Sequence, residues 1–420
     1  MKSIVRAAFI VSLMSSVAGI AAMAPTPVWA DQKLSQKIGK PLQAATKAAQ
    51  AGDYAGALAS IKEAQAIDDR TDFENYKINA ILAYVAIQMK DYPTATTATE
   101  AAADSPAMPD EERPEMLHNA VLLAVPAQQY QKAIAYGQQL QAINALDAVT
   151  EGMLARAYYE LKDFAHAQQY AQMSVDASKA AGKPPNEVAM QIILSAQANQ
   201  HNEAGAKETL ENLAVTYNKA DTWGQLIDQA IGGKFVKDAD ALYLLRLKML
   251  IPDAMKSEDY PALASAADQQ TYSTEAYDVL QKGIARGKIT AAQAGSTLGH
   301  ARSGAALDQH ELGAIASSAE KSKNGLQDIK LAEDYWGYGR FADAEAVARR
   351  AITKGGLKDP SEGPMLLGML LVAEGKYDDA IKTLSEVNGS ASRNSVAHLW
   401  SLYAQAQQKS QGTTAAAPAH

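Results

Sequence analysis

The chain has 420 residues, with 39 basic and 47 acidic side chains, 7 His and no Cys. The absence of Cys excludes disulfide scaffolds, Cys-ligated zinc, iron–sulfur clusters and thiol catalysis. The net charge of −8 argues against a nucleic-acid-binding protein, which carries a basic surface that displaces phosphate counterions. Alanine accounts for 84 residues and Phe for only 5, a composition that favours closely packed helices over a β-sandwich.

The first thirty residues have the pattern of an export signal. Lys2 and Arg6 stand before or at the start of an apolar run over 7–24, and prolines and a small-residue cleavage site ending in Ala30 follow. We therefore predict cleavage after Ala30 and a periplasmic mature protein. An uncleaved membrane anchor is the alternative, because the run approaches the length of a membrane span. Without Cys the chain is not a bacterial lipoprotein, and no second apolar run predicts stable membrane insertion after cleavage.

A short junction recurs along the chain at intervals of 34 to 39 residues. Each copy has Gly or a polar residue, a residue that can cap a helix, an aromatic ring and, three residues after the ring, an alanine. Clear copies close at Ala57, Ala95, Ala133, Ala167, Ala344 and Ala380, and a weaker copy closes at Ala206. This spacing predicts helical hairpins that stack on their neighbours, because one hairpin cannot bury both of its faces alone.

Each residue type in the junction has a physical role in a tight elbow between two helices. Gly favours the left-handed backbone that ends a helix. Asp53, Asp91 and Asp163 can accept hydrogen bonds from the free amides that open the next helix. We expect the aromatic ring to be buried as a wedge in the elbow. We expect the closing alanine where two helices cross, because a larger side chain would force them apart.

The pattern resembles that of the tetratricopeptide-repeat (TPR) family, which has Leu-Gly in the first helix, Gly-x-Tyr at the elbow and Ala at the crossing. Leu367-Gly368, Gly375-x-Tyr377 and Ala380 match it closely. The repeat at Ala206 departs from it, because Glu203 stands where the ring belongs. The resemblance implies an all-α, TPR-like α-solenoid, a right-handed superhelix of helical hairpins.

The predicted organisation has five parts. An apolar helix over 241–251 ends at Pro252, Asp259-Tyr260-Pro261 repeats the elbow that begins at Asp91, and a last helix over 394–408 covers the end of the array. The parts are a signal peptide (1–30), an N-terminal TPR-like array (31–220), degenerate helical repeats (221–327), C-terminal TPR repeats with a capping helix (328–410) and a disordered tail (411–420).

No pattern of residues predicts catalysis, a metal site or a cofactor. The His residues are scattered, and none lies in a His-Glu-x-x-His motif or a close pair. Asp308, His310 and Glu311 are close in sequence but do not converge on one face of a helix. Neither a phosphate-binding P-loop nor a Gly-x-Ser-x-Gly elbow occurs. We therefore predict no catalytic residues, no metal ligands and no cofactor.

The resemblance also implies candidate partner-binding residues, because the first helix of each repeat lines the concave surface in that family. These residues stand seven, eight or eleven positions before the closing alanine, and we call this set the first-helix face. They include Tyr, Trp and Arg, which anchor protein interfaces. The alternative is that their rings pack against the adjacent repeat. The candidates are Tyr84, Gln88, Arg156, Tyr159, Glu160, Glu333 and Trp336.

Together these observations predict a non-enzymatic, exported scaffold that binds a protein or peptide partner in the cell envelope. One alternative is a helical domain associated with a peptidoglycan-processing or envelope-assembly enzyme complex, because periplasmic lytic transglycosylases carry a similar Ala-rich superhelix. Another is a self-assembling structural protein, because a solenoid has open ends. The sequence leaves the partner and the oligomeric state open.

Overall fold

The computed structural model describes residues 34–233, 236 and 238–415, and every regular element within these ranges is an α-helix. The predicted signal peptide lies outside the described residues. The chain divides into two compact units, with the boundary between Ala206 and Lys207. This boundary precedes the predicted one at residue 220, and both 221–327 and the C-terminal repeats fall in the second unit.

The N-terminal unit is built from helices that pack on their neighbours in the chain. Consecutive helices form hairpins joined by short elbows. The helices are α1 (Gln36–Gln50), α2 (Tyr54–Gln65), α3 (Asp72–Gln88), α4 (Tyr92–Ala103), α5 (Arg113–Ala124), α6 (Tyr130–Ala142), α7 (Ala148–Glu160), α8 (Phe164–Ala180) and α9 (Glu187–Asn199), followed by α10 (Glu203–Tyr217), which begins in this unit.

The C-terminal unit contains the rest of α10 and ten further helices within the described residues. The apolar run after Gly233 forms one of them, as predicted. The helices are α11 (Ala220–Ile231), α12 (Asp238–Leu250), α13 (Asp259–Gln269), α14 (Ser273–Ala285), α15 (Ala291–Lys321, broken at Gly295), α16 (Leu326–Gly337), α17 (Phe341–Lys354), α18 (Glu362–Ala373), α19 (Tyr377–Ser385) and α20 (Ala391–Ala415).

The predicted elbows are confirmed, and they share one backbone geometry. At each elbow a residue with positive φ ends the first helix, for example Gly52 at 78° and Lys90 at 59°. The amide that follows it donates to the carbonyl five residues earlier, as Asp53 N–H does to Ala48 at 2.9 Å. This is the Schellman arrangement, and its hydrogen bonds offset the roughly 1–2 kcal/mol that a non-Gly residue loses in this conformation.

The predicted helix caps are also confirmed. The Asp53 carboxylate accepts the Gly56 amide at 2.9 Å, and Asp91 and Asp163 accept the equivalent amides three residues ahead of them. The weak elbow before Ala206 uses Asn202 in the same way, with its side-chain oxygen accepting the Gly205 amide at 3.0 Å. The cap therefore survives in a repeat that has lost its aromatic ring.

The crossing alanines behave as predicted, whereas the elbow rings do not. Six closing alanines have no exposed surface, namely Ala57, Ala95, Ala133, Ala167, Ala344 and Ala380. The elbow rings are only half-buried, and Tyr92 is 40% exposed. Each ring lies at the end of its hairpin, where one edge contacts neighbouring helices and the other faces solvent.

The middle of the chain departs from the predicted elbow at Asp259. No residue with positive φ stands directly before α13, and the Asp259 carboxylate instead accepts the Lys256 amide at 2.6 Å and pairs with buried Lys248 at 2.7 Å. An elbow with the shared geometry lies one helix later, at Thr271 (φ 65°), with Ala276 buried behind it. Thr is β-branched and unusual in this conformation, so the sequence gave no signal for it.

The last helix is longer than predicted. The capping helix expected over 394–408 runs from Ala391 to Ala415, so the first half of the predicted disordered tail is helical. No proline occurs between Ser392 and Ala417, and the Gln and Ala residues in this stretch are good helix formers. The last five residues of the chain lie outside the described range.

Candidate protein-binding surface

In the N-terminal unit, two candidates lie on the second half of α3. Tyr84 is half-buried and packs in the core cluster that includes Tyr54, the elbow ring of the preceding hairpin. The Tyr54 hydroxyl donates to the Gln88 side-chain oxygen at 3.4 Å. Burial raises the pKa of Tyr84 above its ordinary value, with Tyr54 adding to the shift. Tyr84 and Gln88 thus contact the adjacent repeat and still expose part of their surface.

Three further candidates lie on the last turns of α7. Tyr159 packs edge-on against Phe164, the ring of its own elbow, with centroids 5.6 Å apart. Burial lowers the pKa of Arg156, while Glu160 and Tyr130 act in the opposite direction. Arg156 and Tyr159 are half-buried and Glu160 is exposed. This part of the first-helix face presents an aromatic ring, a guanidinium and a carboxylate next to one another.

The remaining two candidates are buried in the C-terminal unit, so the expectation that they line an open groove needs correction. Glu333 is 1% exposed and Trp336 is 7% exposed. Helix α12 lies against both, because the Arg246 guanidinium donates to Glu333 and stands 5.1 Å from the Trp336 ring centroid. Tyr243, one turn earlier on α12, donates from its hydroxyl to Glu333 at 3.2 Å.

Arg246 is the centre of a buried ionic cluster. Its Nε and Nη2 donate to the two carboxylate oxygens of Glu275 on α14, at 2.8 and 2.6 Å. Its third contact is to Glu333 on α16, so one guanidinium is shared by two carboxylates. Burial raises the pKa of Glu333 although Arg246 opposes the shift. The pKa of Arg246 is raised by the same two carboxylates against the effect of burial.

The same helix is held at its other side and at its start. Lys248 is fully buried and pairs with Asp259 of α13 and with Asp228 of α11. Asp240 accepts Arg393 Nε at 2.6 Å, and the Trp400 indole donates to the Tyr243 carbonyl at 3.0 Å. Helix α12 is therefore surrounded by α11, α13, α14, α16 and α20. An apolar run that carries Arg and Lys was the sequence signal for such a core helix, and it was not recognised.

The sequence also missed exposed apolar residues near the first-helix face. Met89 directly follows α3 and is 45% exposed, and Leu161 directly follows α7 and is 38% exposed. With Tyr92 they are the large apolar side chains that the elbows of the N-terminal unit leave open to solvent. Scattered apolar residues are normal on a surface, but these adjoin the half-buried rings of Tyr84 and Tyr159 at the same helix ends.

The described residues offer little for chemistry. Among them no group of three or more His, Asp or Glu side chains is placed to hold a metal ion. His118 faces Asp147 at 3.5 Å, and His166 faces Asp163 of its own helix cap at 2.7 Å. Within the same residues, none of the helices combines the length and the apolar character of a membrane span. The surface that the structure presents is suited to contacts with another molecule.

The repeated elbows and buried crossing alanines make this an all-helical, TPR-like repeat protein. Neither a protein-family model nor a curated protein matches the sequence. Among solved structures, similarity is found to the apo form of RapI (TM-score 0.34, 11% identity, covering 64% of this chain and 98% of that one). It is also found to the APC/C hetero-tetramer Cut9–Hcn1 (0.27, 12%, 91% and 85%) and yeast Tom70 (0.24, 10%, 89% and 96%). These TM-scores support no argument about function.

Proposed function

We propose that this protein is a non-enzymatic, exported scaffold that binds a protein or peptide partner through the first-helix face of its N-terminal unit. The observation that carries the proposal is the contrast between the two units. Tyr84, Arg156, Tyr159 and Glu160 keep exposed surface, whereas Glu333 is covered by the chain's own helix. Rigid aromatic rings next to a guanidinium are the composition of interface anchors.

The export pattern of the first thirty residues supports a place in the cell envelope, with the mature chain beginning at Asp31. A stack of helical hairpins offers a long surface on which a partner segment can lie. Partners of this kind are read by a few anchoring side chains, and the rest of the contact supplies shape complementarity.

Site-specific photocrosslinking in intact cells tests this proposal. A photoreactive residue is placed at Glu160 or at Gln88 on the first-helix face, and at exposed Lys132 on the second helix of a hairpin as the matched control. We expect one envelope protein to crosslink at the first two positions and not at the third. Mass spectrometry of the product also shows whether the chain begins at Asp31.

Two outcomes contradict the proposal. Equal crosslinking at all three positions, or none above background, removes the first-helix face as a binding surface. Products that consist only of two copies of this chain indicate self-assembly instead.

A further inference from the structure

Helix α12 behaves as an internal ligand of the C-terminal unit. Glu333 and Trp336 stand eleven and eight positions before the closing Ala344, which are positions of the first-helix face. Their main contacts are with Arg246 and Tyr243 of α12, 90 residues or fewer away in sequence. In this unit the face therefore binds a helix, and it binds that helix through an Arg held between a carboxylate and an aromatic ring.

The N-terminal unit has the same positions with the charge reversed. Arg156 stands eleven positions before Ala167, where Glu333 stands before Ala344, and Tyr159 takes the place of Trp336. Among the described residues of this unit, α1 to α9 all belong to the stack of hairpins, and none takes the place of α12. The equivalent surface is thus open to a helix from outside.

We propose that the N-terminal first-helix face binds an apolar helix of a partner protein that presents a carboxylate to Arg156. This inference rests on the proposed function and adds the chemistry of the partner. A carboxylate and a guanidinium can form two parallel hydrogen bonds, as Arg246 and Glu275 do. Tyr159 and the half-buried Tyr84 supply flat apolar surface on the same face. The nearby carboxylate of Glu160 disfavours a second acidic group at that point and so fixes the register of the partner helix.

A charge-swap experiment tests the inference with a helix of known sequence. Two fluorescein-labelled peptides are used, one with the sequence of residues 238–250 and one with Arg246→Glu in the same sequence. We expect the full chain to bind the Arg246→Glu peptide about tenfold more tightly, since close charge pairs at an interface couple by more than about 1.4 kcal/mol. The Arg156→Glu chain should reverse this order, as measured by fluorescence anisotropy.

Two variants serve as controls. Lys132→Glu makes the same charge change on a second helix and should keep the order of the unchanged chain. Arg156→Gln removes the charge without reversing it and should bind both peptides alike, which keeps the test decisive if Arg156→Glu misfolds by circular dichroism.

The inference is overturned if the chain binds both peptides equally, if neither peptide binds saturably, or if the order does not depend on residue 156. If crosslinking at Glu160 still captures an envelope partner in that case, the proposed function stands and only the chemistry of the partner is wrong. If crosslinking also fails, the proposed function falls with it.

Discussion

Replacing Arg246 by Met isolates the energetic role of the buried ionic cluster. Arg246 is 1% exposed and makes three charge-assisted hydrogen bonds to Glu275 and Glu333, which are themselves almost fully buried. The Met side chain fills much of the volume but leaves two buried carboxylates without their cation. Breaking a buried pair by removing one partner costs about 3–5 kcal/mol, and we expect the C-terminal unit to lose that much stability.

The loss should depend on pH in a defined direction. Burial already raises the folded-state pKa of Glu333 above its ordinary value. A group whose carboxyl pKa is raised on folding takes up a proton more readily in the folded state, so its contribution to stability falls as pH rises through the window between the two pKa values. Without Arg246 the pKa of Glu333 should rise further. The deficit of Arg246→Met should therefore be smaller at pH 5 than at pH 8.

Tryptophan fluorescence during urea unfolding is a suitable assay. In a chain that begins at Asp31, the Trp residues are Trp223, Trp336 and Trp400, all in the C-terminal unit. The matched control is Arg340→Met, because Arg340 forms an exposed pair with Asp343 that is worth at most about 1 kcal/mol.

Two results would refute the reasoning. One is an Arg246→Met variant that loses no more stability than Arg340→Met. The other is a loss that is the same at pH 5 and pH 8. A triple variant with Met at 246 and Leu at 275 and 333 should recover most of the stability, since an apolar replacement of a buried ionic cluster is often neutral.

Two further predictions concern the C-terminal repeats. Ala380→Phe should destabilise the unit by about 1–3 kcal/mol through overpacking, because Ala380 has no exposed surface, while Phe at exposed Ala391 should leave the urea midpoint unchanged; equal midpoints for the two variants would show that Ala380 is not at a helix crossing. Burial and the neighbouring Asp308 raise the pKa of Asp334 to about 6, so this carboxyl lowers stability as pH rises from about 4 to 6. Asp334→Asn should therefore gain stability relative to the unchanged chain at pH 7 compared with pH 4.5, and an unchanged difference between the two pH values would contradict the shift.

The elbows could be predicted because their determinants are local. Residues 52–57 contain the left-handed Gly, the capping Asp, the ring and the crossing Ala within one turn of chain, and the structure realises each of these in the predicted order. The same local rules failed at Asp259, where a long-range partner took over. Buried Lys248 pairs with that carboxylate, and the charge pair outweighs the elbow geometry that Asp-Tyr-Pro has elsewhere.

The candidate surface shows the same division. The sequence by itself determined which positions belong to the first-helix face, since the interval to the closing alanine is constant. Only the tertiary structure decided which of these positions is open. Arg246 and Glu333 are 87 residues apart in the chain, and Trp400 reaches the Tyr243 carbonyl across 157 residues. Periodicity within a repeat carries no information about a helix that docks from so far away, because its position is fixed by packing and charge pairing in the folded unit.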